Sequence, residues 1–215
     1  MFLELLHDWL TASDGVQAAD VTFVLAGREC RKNFGLEMLQ QGLTPTLLLS
    51  VGRFEIRRFS NLHLPVSLDL MAVVAPIEPQ QRHLFVFLEG SNVDVQIVPV
   101  GRLGTWTEIV AFSRWLGSHR SIRVANIVTS SFHIRRVRLC CHALLPSAVE
   151  LRFIAVPSES TGCSRDTWWF NSVARKFFLA EVAKVTLYTP LLSIRKLLWQ
   201  MRSTVRHGGW STNRA

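Results

Sequence analysis

His133 follows directly on an apolar, β-branched run over residues 123–130, behind Thr129, Ser130, Ser131 and Phe132. An imidazole just past a strand end, outside a helix, is placed to donate to a phosphate or to shuttle a proton. The alternative at that position is a hydrogen-bonded structural ring. Glu108 lies three residues after Thr105. That spacing suits the acid of a capping box or a catalytic carboxylate beside His133, and spacing alone favours the cap.

Other candidate groups collect at equivalent points of the chain. Gly27, Arg28 and Arg31 follow one apolar run, Ser50, Gly52 and Arg53 a second, Gly101, Gly104 and Thr105 a third, and Thr129 and Ser130 end a fourth. Small, hydroxyl and basic residues with free amides at helix starts suit an anion, because both N–H groups and guanidinium forks favour phosphate or carboxylate. The bland alternatives are turn glycines and helix caps. Arg135, Arg136 and Arg138 read mainly as a solvated helix face, with one near the helix start free to turn toward an anion. Neither the full dinucleotide fingerprint nor a P-loop is present, which disfavours nicotinamide-cofactor and Walker-type nucleotide binding.

These residues need elements to bring them together. Residues 20–26, 47–50, 84–88, 93–98, 123–130 and 150–156 are short apolar runs predicted as strands. Between them, residues 28–41, 105–116 and 135–145 carry apolar side chains at helical spacing. A last long helix is predicted from about residue 165, with Trp169, Val173, Phe177 and Val182 as its buried face. An N-terminal helix is predicted from Phe2, Leu5, Leu6, Trp9 and Leu10, closed by Ser13, Asp14 and Gly15. Strands alternating with amphipathic helices predict an α/β fold, a three-layer α/β/α Rossmann-like domain with a mostly parallel sheet. In such a sheet ligands bind beyond the carboxyl ends of the strands.

Composition narrows the classes further. With 215 residues, 48% hydrophobic and 19% charged, the chain can bury a sizeable core, and disorder is excluded. Four cysteines, Cys30, Cys140, Cys141 and Cys163, lack zinc spacing, so no metal site is predicted and a reduced, cytoplasmic setting is expected. No run reaches the ~20 apolar residues of a spanning helix, and no secretory signal pattern is seen. The net charge is +8, from 24 Lys and Arg against 16 Asp and Glu. Five of the basic residues, Arg195, Lys196, Arg202, Arg206 and Arg214, fall in residues 189–215, which contain no acid. There Leu191, Ile194, Leu198, Met201 and Val205 form an apolar stripe, predicting a basic amphipathic helix docked on the core, or alternatively lying on a membrane surface. No nucleic-acid motif accompanies the charge, and nucleic acid is not expected as a partner.

The segment order resembles the YdcF-like family, also known as domain of unknown function 218, with its SanA-like and ElyC-like envelope proteins. The resemblance rests on the opening strand and turn at residues 19–27, on Arg31, on the turn Gly42, Leu43, Thr44 and Pro45, and on Ser50, Val51 and Gly52. It continues at Thr105 to Glu108 and is most specific over residues 127–136, where Thr129, Ser130, Phe132, His133 and Arg136 fall in order. It spans roughly residues 19–188, leaving residues 1–18 as a helical extension and 189–215 as a tail. It implies a polar pocket at the strand ends, lined by Gly27, Arg31, Ser50, Gly52, Thr105, Glu108, Thr129, Ser130, His133 and Arg136. It further implies a nucleotide-like ligand such as S-adenosylmethionine, or a role in bacterial envelope and polysaccharide biogenesis.

Two departures stand out. Ala26 and Val51 replace family glycines, and no acid lies between Asp94 and Glu108, where the family tends to place one. The expectation is therefore binding of a small phosphate-bearing or nucleotide-like anion. The alternatives are a hydrolase or transferase acting on a phosphorylated precursor through His133 and Glu108, and a non-enzymatic peripheral membrane or interaction protein.

Overall fold

The computed structural model describes residues 2–207 apart from 60–61, 63, 65–67, 100–103, 158–164 and 166. In chain order the elements are α1 (Phe2–Thr11), β1 (Val21–Val24), α2 (Glu29–Gln40), β2 (Thr46–Val51), α3 (Ile56–Phe59), α4 (Leu70–Val74), β3 (Leu84–Glu89), β4 (Asn92–Ile97), α5 (Gly104–Ser118), β5 (Val124–Ser130), α6 (Ile134–Leu144), β6 (Glu150–Val156) and α7 (Ser172–His207). A 3₁₀ turn, Ser131–His133, joins β5 to α6.

The strands form one sheet in the order β4, β3, β2, β1, β5, β6. β1 is parallel to both β2 and β5, and β5 is parallel to β6. β3 and β4 form an antiparallel hairpin on the outer side of β2. Gly90 makes this hairpin's tight turn at φ 58°, a left-handed conformation that a side chain would oppose. The fold is thus the α/β architecture that the strand and helix alternation predicts, with a mixed, mostly parallel sheet flanked by helices.

Alternation along the strands sends side chains to two cores. Val21, Phe23, Ile127 and Phe153 face Ile109 and Phe112 of α5 and Val137, Cys140 and Cys141 of α6. Val24, Leu47, Leu49 and Val128 face Leu36 and Met38 of α2 together with α3 and α4. Both faces are therefore covered, as strands this apolar require. A third, aromatic cluster joins Leu10 of α1, Phe132, Trp168 and the α7 residues Ala174, Phe178 and Val185. Trp168 stacks on Phe178 with ring centroids 3.9 Å apart.

The N-terminal segment also seals the β6 edge. Asp14 N–H donates to Phe153 O at 2.7 Å, the Asp14 carboxylate accepts the Phe153 N–H at 2.7 Å, and Ser13 Oγ accepts the Ala155 N–H at 2.8 Å. Side chains here satisfy backbone groups that an edge strand would otherwise present to another chain.

Several expectations are corrected. In α1 the inward residues are Leu6, His7 and Leu10, whereas Leu5 is 61% exposed and Trp9 rests under Arg135. The final helix starts at Ser172, not near residue 165, because Asn171 Oδ1 accepts the Val173 and Ala174 N–H groups and caps it. Its buried stripe is Ala174, Phe178, Glu181, Val185 and Tyr188, while Val173 and Phe177 are 57% and 50% exposed. The same helix runs on through Pro190, so the boundary placed at residue 189 falls inside one continuous element. The tail's apolar stripe, Leu191 to Val205, and the ends of the tail lie outside the residues whose side chains are described, as do Cys163 and Gly101.

Candidate functional site

The order of connections reverses at β1: the chain leaves β1 through α2 toward β2, while β5 occupies its other side. At such a switch point the flanking connections diverge and leave a crevice at the carboxyl ends of the two strands. Gly27 follows β1 and Ser130 ends β5, and between them lies a cavity of about 220 Å³ lined by Gly27, Arg28, Arg31, Ser130, Ser131, Phe132, His133 and Phe177. A deeper pocket of about 170 Å³ continues beside it, lined by Ala26, Gly27, Arg31, Thr105, Thr129, His133 and Arg136 among others.

Arg31 is common to both. It sits one turn into α2 and is 6% exposed. Its Nε donates to Ser130 Oγ at 2.8 Å and its Nη1 to Ala26 O at 2.6 Å, so the guanidinium lies across the β1 turn toward β5. Gly27 makes that path available. A Cβ there would stand 2.5 Å from Nη1, and its φ of 150° belongs to glycine. Among the described residues no carboxylate lies within ion-pair distance of Arg31; burial lowers its affinity for its proton, and Glu108 and Glu55 oppose this only through space. A buried cation whose direct partners are neutral favours an anion as its missing counter-charge. Thr129 Oγ1 is a second unsatisfied group of the deeper pocket, buried without a hydrogen-bond partner.

Arg136, by contrast, is already neutralised. Its Nε donates to Glu181 Oε2 at 2.8 Å and its Nη2 to Glu181 Oε1 at 3.3 Å, while Nη1 donates to Thr105 Oγ1. The arginine near the start of α6 that turned inward thus met a carboxylate of this chain, and Thr105 is its hydrogen-bond acceptor. His133 Nδ1 lies 3.1 Å from Glu181 Oε1 and 3.1 Å from Arg136 Nη2. Burial lowers the His133 pKa, the Glu181 hydrogen bond opposes this, and the positive charges of Arg31 and Arg136 reinforce it. For Glu181 burial acts upward, but hydrogen bonds and charge from His133 and Arg136 outweigh it and hold the carboxyl well below its usual range.

Glu108 is neither the acid of a capping box nor a hydrogen-bond partner of His133. Its Oε1 accepts the Ala26 N–H at 2.8 Å and the Ser50 hydroxyl at 2.5 Å, with His83 Nε2 at 3.7 Å. Ser50 Oγ also lies 2.8 Å from His83 Nε2. Ser50 is fully buried, so this Ser, His and Glu set ties the ends of β1 and β2 to α5 and offers no accessible nucleophile. Gly52, predicted on the same rim, does not line the cavity; it lies beside Glu55, which pairs with the buried Lys32.

The predicted set therefore divides. Gly27, Arg31, Thr105, Thr129, Ser130, His133 and Arg136 share the crevice, while Ser50 and Glu108 brace the β1 turn without lining it and Gly52 lies apart, beside Glu55. Glu181 is the residue that sequence reasoning missed. It stands at a four- and three-residue spacing in the stripe Ala174, Phe178, Glu181, Val185 and Tyr188, an acid inside an otherwise apolar face. Phe177, Arg28 and Ser131 complete the mouth. Among the described residues no three His, Cys, Asp or Glu side chains cluster as metal ligands would. Comparison of the chain with protein-family models, curated proteins and solved structures finds no match.

Proposed function

We propose that this chain is a YdcF-like domain that binds a small phosphate-bearing or nucleotide-like anion in the crevice between β1 and β5. The observation that carries the reading is the buried Arg31 guanidinium, whose direct partners, Ser130 Oγ and Ala26 O, are neutral. Gly27 lets that cation lie against the turn, and the backbone N–H groups that open α2 and the turn after β5 supply further donors beside it. Thr129 Oγ1 offers an unsatisfied hydroxyl deeper in. The family resemblance adds S-adenosylmethionine to the ligands worth testing.

The test is thermal shift and titration calorimetry with ADP, inorganic pyrophosphate, a sugar phosphate and S-adenosylmethionine. At least one phosphate compound is expected to bind, and Arg31→Ala to weaken it by about 10- to 100-fold, the loss of one charge-assisted contact. Absence of binding by every compound, or equal binding by Arg31→Ala, overturns the reading.

A second reading, contact with an anionic membrane surface, is favoured by one feature. The outer side of α7 exposes Val173, Leu179 and Leu187, at 57–63%, among Arg175, Lys176 and Lys184. Among the described residues no helix is long and apolar enough to cross a membrane. Co-sedimentation with vesicles containing anionic lipid, lost in the double variant Leu179→Glu, Leu187→Glu, supports that reading; no co-sedimentation of the unaltered chain, or co-sedimentation unchanged in the double variant, overturns it.

A further inference from the structure

We infer that His133 and Glu181 form a proton-transfer pair for hydrolysis of a phosphoryl compound whose phosphorus carries one negative charge, a phosphodiester or an anhydride. His133 Nε2 acts toward the attacking water, and Glu181 positions the ring. The inference rests on the anion reading above and adds turnover to it.

The geometry is that of an imidazole oriented by a buried carboxylate. Glu181 is 1% exposed, and its Oε1 stands 3.1 Å from His133 Nδ1. Nδ1 faces both Glu181 Oε1 and the donor-only Arg136 Nη2, each at 3.1 Å. Arg136 Nη2 has an acceptor of its own in Glu181 Oε1 at 3.3 Å, and the carboxylate can only accept, so the Nδ1 proton is assigned toward Glu181 and the lone pair to Nε2. The ring is a wall of both the outer cavity and the deeper pocket, in each case together with Arg31. The groups that face it are Arg31 from α2, Arg136 from α6 and Glu181 from α7. Burial and the two guanidinium groups favour the neutral ring, the form a base requires, while Glu181 stabilises the imidazolium that forms when the ring takes a proton.

Glu181 does more here than neutralise Arg136. Oε2 receives the Arg136 Nε–H, whereas Oε1 faces His133 and also accepts from Lys184 Nζ at 2.7 Å. The Lys184 contact lies at the exposed side, so the carboxylate is held from two directions while one edge stays turned to the ring. The acid that the family pattern places before its Thr segment is absent from this chain between Asp94 and Glu108; α7 brings an acid to the pocket from the far end of the chain.

The choice of substrate charge follows from Arg31. Arg136 is matched by Glu181, and Glu108 reaches Arg31 only across the Ala26 peptide. One guanidinium with neutral direct partners matches one negative charge better than the two of a phosphomonoester. In the step, water attacks phosphorus as its proton passes to His133 Nε2 and a new P–O bond forms. The P–O bond to the leaving group then breaks, and the leaving oxygen takes the proton back from Nε2. Water and substrate are consumed, alcohol or phosphate is released, and the ring ends neutral.

The test uses the full chain with bis(p-nitrophenyl) phosphate and p-nitrophenyl phosphate as substrates, and, as the independent ADP-binding readout, calorimetry with α,β-methylene-ADP, whose P–C–P bridge water does not cleave. The diester is expected to be hydrolysed faster than the monoester. His133→Asn, at a ring only 28% exposed but on the cavity wall, is expected to lower kcat about 100-fold or more, a far larger change than in KM. Glu181→Gln is expected to lower kcat at least tenfold with little change in KM and to move the acid limb of the rate profile, and Glu181→Asp to restore part of the rate. If Glu181→Gln does not fold, nitrogen chemical shifts of the His133 ring in the wild type decide the orientation: Nδ1 protonated and Nε2 bare is expected, and the reverse overturns the pair. ADP binding that needs Arg31, without hydrolysis of either ester or with rates unchanged by His133→Asn, overturns this inference and leaves the anion reading standing. No ADP binding and no hydrolysis counts against both.

Discussion

At the scale of single residues, the crevice depends on what stands next to Arg31. Gly27→Ala places a Cβ 2.5 Å from Nη1 at a φ of 150°, so the side chain must leave its bonds to Ser130 and Ala26 or the turn must move. We expect a loss of about 1–3 kcal/mol in urea unfolding, together with weakened anion binding. The pH dependence of stability has a definite sign. The His133 pKa is lowered in the folded chain, so below the ordinary imidazole value of 6.5 the unfolded chain takes up the proton first. Its contribution is complete above that value and falls as pH drops, and His142 is shifted in the same direction. Glu181, lowered from 4.5, adds a second loss as pH falls below 4.5. Urea midpoints measured between about pH 8 and about pH 4 check this. His133→Asn should flatten the first limb in part, with His142 supplying the rest.

At the scale of elements, all six predicted runs are strands in the sheet: β1, β2, β3, β5 and β6 read as short apolar runs because they are largely buried, and the antiparallel edge strand β4 reads from its alternation after the Gly90 turn. The phase of α7 was less legible. Val173 and Phe177 are apolar and suitably spaced, and the alternative stripe carries Glu181, so a pattern that seeks apolar residues passes over the face that is buried. Burial of that acid is possible because Arg136 and His133 meet it from α6 and the turn before it, a tertiary fact that periodicity does not contain. The two phases are separable by experiment. Phe178→Ala, at a fully buried ring stacked on Trp168, should cost about 3–5 kcal/mol, and Phe177→Ala, half exposed, about 0.5 kcal/mol or less. The role of Glu108 is hidden from the sequence for a similar reason: its spacing from Thr105 fits a local cap, but its carboxylate accepts from residues far apart in the chain, Ala26 and Ser50. Glu108→Ala should therefore cost about 2–3 kcal/mol, the size of a charge-assisted buried hydrogen bond, and should loosen the β1 turn, measured as faster amide exchange at Ala26.

At the scale of the whole molecule, the site is a consequence of topology. β1 lies between β2 and β5, connections diverge from it, and the residues that follow β1 and β5 face one another across the opening. The order of motifs along the chain is enough to place Gly27, Arg31, Ser130 and His133 on that rim. Ser50 and Gly52 were assigned to it by the same rule, yet β2 lies on the far side of β1 from β5, and Glu108 draws Ser50 inward. The +8 charge likewise divides: Arg136 and Lys32 are spent on internal carboxylates, and among the described residues Arg31 alone remains a buried cation facing the crevice with neutral direct partners. The most direct test of that account is an amide chemical-shift titration of the full chain with ADP. The account predicts that the largest shifts fall at Gly27, Arg28, Ser130 and Ser131 and that Arg31→Ala needs about 10- to 100-fold more ADP to reach them. Shifts centred on other surfaces, or the same shifts in Arg31→Ala, would contradict it.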